Sequence, residues 1–564
     1  MRFPSSRYNW LAVKRAALLF VKSVAVITVL VSALFLSQPL RAQEGATSGR
    51  TAGQSIVGHT LVVIPFENAS PTPGLEWLGE SFPEAFHEQL SSPILYVTSR
   101  DERLRAYDRQ GVPAGVHPSR ATVYRLAEQM DVDYAILGSY QYNGTRLTAT
   151  AQLLDMRAQK LLPPATESGA LADLGAIQSA LGWDLLRQIR SDFSTPQNAY
   201  VAAAVPIPLD AQENYVRGLL AAKAEEKAQD YREATRINPS FAQAWLELGK
   251  TYYAQHAYEP AIAALSQVPR NTEVAREANF YLGLAAYAHG DFAKSESAFE
   301  FVAARLPLAE VYNNLGVVAA HRGQKRASEY FEKAIEDDPS DADYHFNLGV
   351  VLAQEGDRAG ATRELRTSLD RRPNDPEARI ALESVTQPSA AGIVPTSVVS
   401  KTPIERIKRN YEEDTFRQMT TQMASWAEQR FARSDPHAHA RFHIELGKEL
   451  MAHGFTTEAE VEFRHAAAVD PSSAAPSLAL AEDYAAQGDP TQARAQVEAA
   501  LHIRESAEAY LILARIDLKE NRMDEAAQDI GRALQLEPNN SAGQDLKRTL
   551  AAKLAEKAQP LSQP

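Results

Sequence analysis

Residues 342–375 read ADYHFNLGVVLAQEGDRAGATRELRTSLDRRPND. Apolar residues recur at three- and four-residue spacing, so the stretch codes for helix. Leu348-Gly349 sit early in a first helix and Gly356 closes a turn. Ala361 and Leu365 mark a second helix, which Pro373 ends. The same spacing returns from Ala440, with Leu446-Gly447, Gly454, Ala459, Phe463, Ala466 and Pro471. One such hairpin cannot bury its apolar face alone. Stacked copies share a continuous core and leave a curved surface.

The rhythm governs most of the chain beyond residue 210. A shortened first copy carries Tyr215, Gly218, Tyr231, Ala234 and Pro239. Further copies carry Trp245, Leu248 and Gly249, then Leu282, Gly283 and Phe299, then Leu315, Gly316 and Phe331. After a Pro/Ser/Val/Thr-rich stretch the copies resume at Ala440, pass through Tyr484, Gly488 and Ala493, and end with Tyr510, Ala526, Ala533 and Pro538. A helix–turn–helix unit of this length resembles the tetratricopeptide repeat. The copies number about eight, five and three, in two arrays, and the resemblance implies a mostly α solenoid with a concave groove that binds protein or peptide partners.

The predicted boundaries follow: leader 1–42, flexible Gly/Ser/Thr/Ala-rich segment 43–57, α/β domain 58–190, linker 191–210, first array 211–385, linker 386–403, helix 404–434, and second array with a charged capping helix 440–558. In the leader, Arg2, Arg7, Lys14 and Arg15 precede a 14-residue apolar run from Ser23 to Leu36, with small and polar residues to Ala42. This is the pattern of a secretory signal cleaved near Ala42 or Gln43. Read from Ala16, the apolar stretch is 21 residues interrupted by Lys22, and the alternative is an uncleaved inner-membrane anchor. Either reading predicts an exported, periplasmic or cell-envelope protein. No cysteine is present, which excludes disulfides, thiol catalysis and cysteine-ligated zinc. Loss of the leader's six Lys and Arg residues takes the net charge from −13 to −19. Such acidity disfavours nucleic acid and anionic lipid as partners.

Between leader and repeats, Leu61-Val62-Val63-Ile64 is a buried-strand run. Leu75–Leu90 and Arg120–Met130 read as helices, Ile94–Thr98 as a strand and Leu171–Ile189 as a closing helix. Asn143-Gly144 separates two strand-like runs, Tyr134–Tyr142 and Thr145–Leu154, and predicts a type I′ hairpin turn. Asn143-Gly144-Thr145 also matches a glycosylation sequon, for which the turn is the preferred reading. Four blocks carry a second resemblance: Val62-Val63-Ile64-Pro65-Phe66-Glu67-Asn68, Glu76-Trp77-Leu78-Gly79-Glu80, Asp133–Ser139 and Arg146–Asp155. In this order they resemble the TolB-type amino-terminal domain over about residues 58–190. That resemblance implies an interaction or sensing module without settled catalysis. The family's glycine after the last strand is missing at Asp155–Gln159.

In tetratricopeptide repeats the first helix of each unit lines the groove, and its sixth position is often asparagine. A primary amide offers donor and acceptor together, matching both groups of an extended peptide backbone. Asn314 and Asn347 hold that position in adjacent repeats, beside Asn313 and Phe346, and these four are the candidate peptide-binding residues. The alternative is a solvated polar helix face. Elsewhere the position holds Glu247, Tyr281, Glu445, Ala479 and Ile512, so the ladder has two rungs. The 404–434 helix would begin with Arg406, Lys408 and Arg409. It carries Ile404, Ile407 and Tyr411 on one face and Phe416, Met419, Met423 and Trp426 on another, suited to packing on the next repeat or to a partner or membrane surface. His437, His439 and His443 do not share one helical face; only His439 and His443 do. Glu462 and His465 read as a surface pair. No metal site or cofactor is therefore expected, and the phosphate-loop, nucleophile-elbow, zincin and dinucleotide motifs are all absent.

The sequence thus predicts a non-catalytic, exported scaffold of a bacterial envelope, serving alone or as accessory subunit of an assembly or export machine. The alternative is a small-molecule sensor, in which the α/β domain binds ligand and the solenoid transmits the state.

Overall fold

The structure is a computed structural model that describes residues 59–70, 73–92, 95–113, 115–190, 193–386, 406–431 and 435–558. The leader, the 43–57 segment and the 386–403 linker, apart from its first residue, lie outside the described residues. Two compact units form, residues 249–412 and residues 53–248 with 413–564. Among the described residues no helix is long and apolar enough to cross a membrane.

In the second-named unit, seven strands make one sheet: β1 (His59–Val63), β2 (Glu67–Asn68), β3 (Leu95–Val97), β4 (Tyr134–Tyr142), β5 (Leu147–Asp155), β6 (Lys160–Leu161) and β7 (Ala165–Gly169). The order is β3-β1-β4-β5-β6, with β2 on β4 and β7 on β5. β1 runs parallel to both β3 and β4, so each crossover carries helix, and β4–β5 is an antiparallel hairpin. Alternation along β1 sends Val62 and Ile64 to one face. There they pack with Ala106 and Tyr107 of helix Arg100–Gln110 and with Val123, Leu126 and Ala127 of helix Arg120–Gln129. On the other side Phe66 stacks on Phe82 at 4.2 Å, and Gly138 leaves the space that the Phe66 ring fills. The buried Glu80 carboxylate is held by Arg103, which also donates to the Val63 carbonyl at 3.1 Å, and by Arg100 at 2.9 Å. A buried charge needs such pairing.

Three expectations are corrected. The hairpin is not type I′: the last pair is Tyr142↔Leu147, Gly144 has φ +92°, and Asn143 keeps negative φ. Asn143 Oδ1 instead accepts from the N–H groups of Thr145 and Arg146, closing a four-residue loop by side-chain capping. The 191–210 stretch is no free linker. It contains helix Gln197–Ala203, pinned by Tyr200 to the Gln89 carbonyl at 2.9 Å and by Trp183 to the Thr195 carbonyl at 2.7 Å. The first helical pair, Leu209–Leu220 and Ala224–Ile237, belongs to the same unit as the sheet domain, because Tyr215 bonds Glu84 at 3.0 Å and Gln212 bonds Gln178 at 3.0 Å. Helix Arg100–Gln110 had a signal that the apolar periodicity missed, the capping box Ser99–Glu102.

The remaining pairs show why Leu-Gly recurs. A Cβ on Gly283, Gly316 or Gly447 would sit 2.5–2.7 Å from the ring of Phe299, Phe331 or Phe463. Gly249 and Gly349 meet Leu265 and Leu365 as closely, at 2.3 and 2.7 Å. Where the first helix carries alanine, as at Ala481 and Ala514, the residue sixteen positions on is the β-branched Val497 or Ile530, smaller than phenylalanine, all buried. Bulk on one helix is matched by its absence on the other, at the density of a protein core.

Helix Glu413–Phe431 starts nine residues later than predicted. It packs on β1 and β3, with Gln418 donating to the Met130 carbonyl at 3.1 Å and Arg157 reaching Ser425 at 2.7 Å. Phe416 stacks on Phe455 of the following repeat at 4.6 Å. The helix thus joins the sheet domain to the second array within one unit.

Gly316→Ala would press a methyl into the fully buried Phe331 ring. We expect it to lower stability by about 1–3 kcal/mol despite alanine's better helix propensity. Combining it with Phe331→Val should recover part of that loss. Thermal denaturation of the two single variants and the double variant checks this, and additive losses would contradict the close-approach account.

Candidate functional site

Within the unit 249–412, residues 406–412 are not helical; they lie along the first helices of the array. An extended chain leaves its backbone N–H and C=O groups without helical partners, and these must be satisfied elsewhere. Asn314, on helix Ala309–His321, satisfies both groups of Lys408. Its Oδ1 accepts from the Lys408 N–H at 2.7 Å, and its Nδ2 donates to the Lys408 carbonyl at 2.8 Å. One residue pair back along the segment, the Arg406 carbonyl accepts from Asn313 at 2.9 Å and from Asn347 at 3.2 Å. Asn347 also donates to Asn313 Oδ1 at 2.8 Å, which locks the amides into one network. All three asparagines are fully buried.

The side chains add charge and stacking. The Arg406 guanidinium carbon lies over the Phe346 ring, 3.4 Å from its centre, and the group bonds both oxygens of Asp375 at 2.7 and 2.9 Å. It also reaches Asp343 at 3.1 Å and Glu377 at 3.0 Å. Lys408 Nζ bonds Asp341 at 2.6 Å and Asp343 at 2.8 Å and lies over the Tyr344 ring. Planar bidentate pairing and ring stacking are what arginine offers and lysine does not. At the far end, Tyr411 stacks on Phe280 at 4.8 Å, and Glu310 accepts from the Glu412 N–H at 3.0 Å.

Two of the carboxylates serve the fold as well. Asp341 caps helix Ala342–Glu355 through the Asp343 N–H, and Asp375 accepts from the Ala378 N–H at the start of helix Pro376–Thr386. Acids are stabilised at helix N-termini, so the cations of the segment meet charge that the array already carries. Burial alone would raise the Asp343 carboxyl. The hydrogen bond from Arg372 and the charge and hydrogen bond of Lys408 outweigh burial and hold it well below the usual carboxylate range. For Asp375, burial is likewise overcome, chiefly by Arg406.

The structure therefore brings Asn313, Asn314, Phe346 and Asn347 together on one segment. Sequence reasoning missed the acidic residues and placed Arg406, Lys408 and Arg409 at the start of a helix. The available signal was the paired acids at 341/343 and 375/377, facing an Arg-x-Lys run. A further correction concerns the second array. Glu462 and His465 are no surface pair: both are buried, beside the buried His439 and His443.

A family model described as tetratricopeptide repeat matches residues 280–325, 325–376 and 478–541, and the first two stretches include all four candidate residues. No curated protein matches the chain. Among solved structures, the chain is similar to YrrB, described as a TPR protein with an unusual peptide-binding site, at 22% identity over 30% of this chain and 90% of that one, with TM-score 0.29. It is also similar to MamA from Desulfovibrio magneticus RS-1, at 20% identity over 30% of this chain and 99% of that one, with TM-score 0.28. A tetratricopeptide protein from Parabacteroides merdae shares 13% identity over 55% of this chain and 98% of that one, with TM-score 0.24. The family matches fall in both arrays, and over residues 280–376 and 478–541 the helical hairpins match the tetratricopeptide repeat.

Proposed function

We propose that the chain is a non-catalytic scaffold, exported to the bacterial cell envelope, whose first array recognises an extended basic segment. Residues 406–412 hold that groove in cis, and a partner segment with an Arg-x-Lys pattern and a following aromatic residue displaces them. The observation that carries this reading is the two-bond pairing of the Asn314 amide with the Lys408 backbone, flanked by the Asp343 and Asp375 pockets. Recognition of backbone by amides and of side-chain charge by carboxylates suits a peptide ligand, and repeats in general bind protein partners. Export is supported by the basic-then-apolar leader. The sheet domain, read as TolB-type, would be a second docking module, and membership of an envelope assembly or export machine follows as the setting.

A fluorescent peptide of residues 404–414 tests the reading by anisotropy. The intact chain should bind it weakly, because the groove is filled. Arg406→Ala/Lys408→Ala in the chain should raise affinity at least about tenfold by removing the competitor. Adding Asn314→Ala/Asn347→Ala should abolish binding in a chain that still folds. No binding to the vacated groove, or equal binding with and without the asparagines, would sink the proposal.

The groove also has a pH signature. Burial raises the Glu310 carboxyl to about 7; the Glu412 N–H works against this, and the charges of Glu412 and Asp337 add to it. A carboxyl raised in the folded state contributes fully below its ordinary value of 4.5, and the contribution is lost as pH climbs through 7. The depressed Asp343 and Asp375 act oppositely, stabilising above 3.8 and failing on acidification. Glu310→Gln keeps an acceptor for Glu412 without the charge. It should stabilise the chain relative to the parent by up to about 3 kcal/mol at pH 8 and by little at pH 4. Parallel pH–stability curves for the two proteins would contradict the assignment.

A further inference from the structure

The two arrays allow an internal comparison at a buried pair. In the first array His345 Nδ1 bonds Glu364 at 2.8 Å. In the second, at positions offset by the same register, His443 Nδ1 bonds Glu462 at 2.6 Å. The first pair is tied into the fold: His345 Nε2 bonds the Pro339 carbonyl at 3.1 Å, and Arg363 bonds Glu364 at 2.8 Å. The second array changes these surroundings. Val461 stands where Arg363 stands, His465 where Thr367 stands, and His439 where Asp341 stands. His439 Nε2 lies 3.1 Å from His443 Nε2, and the His443 and His465 rings meet edge to face at 5.4 Å. The ligand-type atoms of His443, Glu462 and His465 lie within 4.8 Å of one another. All four residues are at most 6% exposed.

We propose that His443, Glu462 and His465 form a binding site for a divalent transition metal, with Zn²⁺ as the ion. Helix Thr456–Val469 supplies Glu462 and His465 at i, i+3, one turn apart, and the facing helix Pro436–Ala452 supplies His443. In a chain without cysteine, imidazole and carboxylate are the donors that suit zinc. Ligand atoms around tetrahedral zinc stand about 3.3 Å apart. Side-chain adjustments of about 1 Å would bring the three donors onto one ion. His443 then binds through Nδ1 and directs its Nε2–H at His439 Nε2, the outer contact that orients a ligating histidine. Burying a carboxylate among imidazoles costs solvation, and a cation on the donors offsets that cost. The first array forms the same hairpin and the same His–Glu pair with Asp341 and Thr367 at the corresponding positions, so the added histidines at 439 and 465 are not required by the helical hairpin itself.

Full-length protein, stripped with chelator, is titrated with Co²⁺ and followed by visible absorption, and metal content after Zn²⁺ loading and dialysis is measured. The expected result is about one tightly held ion per chain and a d–d spectrum in a distorted tetrahedral field. His465→Thr, which installs the first-array residue, should remove the spectrum. His439→Ala should weaken binding about 10-fold to 100-fold, as loss of an outer partner does. His345→Gln should change nothing. Far-UV circular dichroism shows that each variant folds. No Co²⁺ spectrum in the parent, a spectrum that survives in His465→Thr, or one lost equally in His345→Gln would each overturn the site.

Discussion

A bare helical backbone at Gly249, Gly283, Gly316, Gly349 and Gly447, against which a leucine or phenylalanine of the second helix presses, is the constraint on which the first array and the start of the second depend. With a Cβ at Gly316, the Phe331 ring could not keep its place, and the pair would open. Closure on this side decides which side of each first helix remains available. Asn314 is two residues from Gly316, and Asn347 is two residues from Gly349, so the amides are carried to the opposite side by the same register that buries the glycines.

That placement turns a packing rule into a surface that the chain's own segment 406–412 occupies. Segment 406–412 bonds to side-chain amides in place of a helical or sheet ladder, and its cations land on carboxylates that already cap the helices of the array. Each capping aspartate therefore does two things with its two oxygens. Removing Arg406 and Lys408 would leave Asp341, Asp343 and Asp375 facing Arg372, an excess of negative charge that a basic ligand relieves. The same reasoning distinguishes the second array, where histidine replaces aspartate at 439 and the first helix carries no asparagine at the sixth position. There, Glu445, Ala479 and Ile512 offer no backbone clamp.

The repeat architecture was legible because most units carry several of the same signals: Leu-Gly, a turn glycine, a bulky residue fifteen or sixteen positions on, and a proline stop. The four candidate groove residues were legible for the same reason, as positions in a register. What sequence could not supply was contact across long separations. The Arg406–Asp343 and Lys408–Asn314 pairings join residues 63 and 94 positions apart, and local periodicity at 406–412 favoured helix, which the tertiary network overrode. The hairpin turn failed differently: Asn143 satisfied the local backbone with its side chain, an option that the Asn-Gly pattern alone does not exclude. The burial of Glu462 and His465 was hidden because charged side chains in a repeat helix ordinarily face water, and only the facing helix brings His443 to them.

The backbone amides of Lys408 and Glu412 donate to side chains, Asn314 and Glu310, and belong to no helix or sheet ladder. Hydrogen exchange at these two positions is therefore the most direct measurement of the occupied groove. The account predicts strong protection of both in the intact chain, with protection at Lys408 lost in Asn314→Ala while the helices of the array stay protected. Exchange at the rate of an unstructured peptide in the intact chain would show that the segment does not hold the groove.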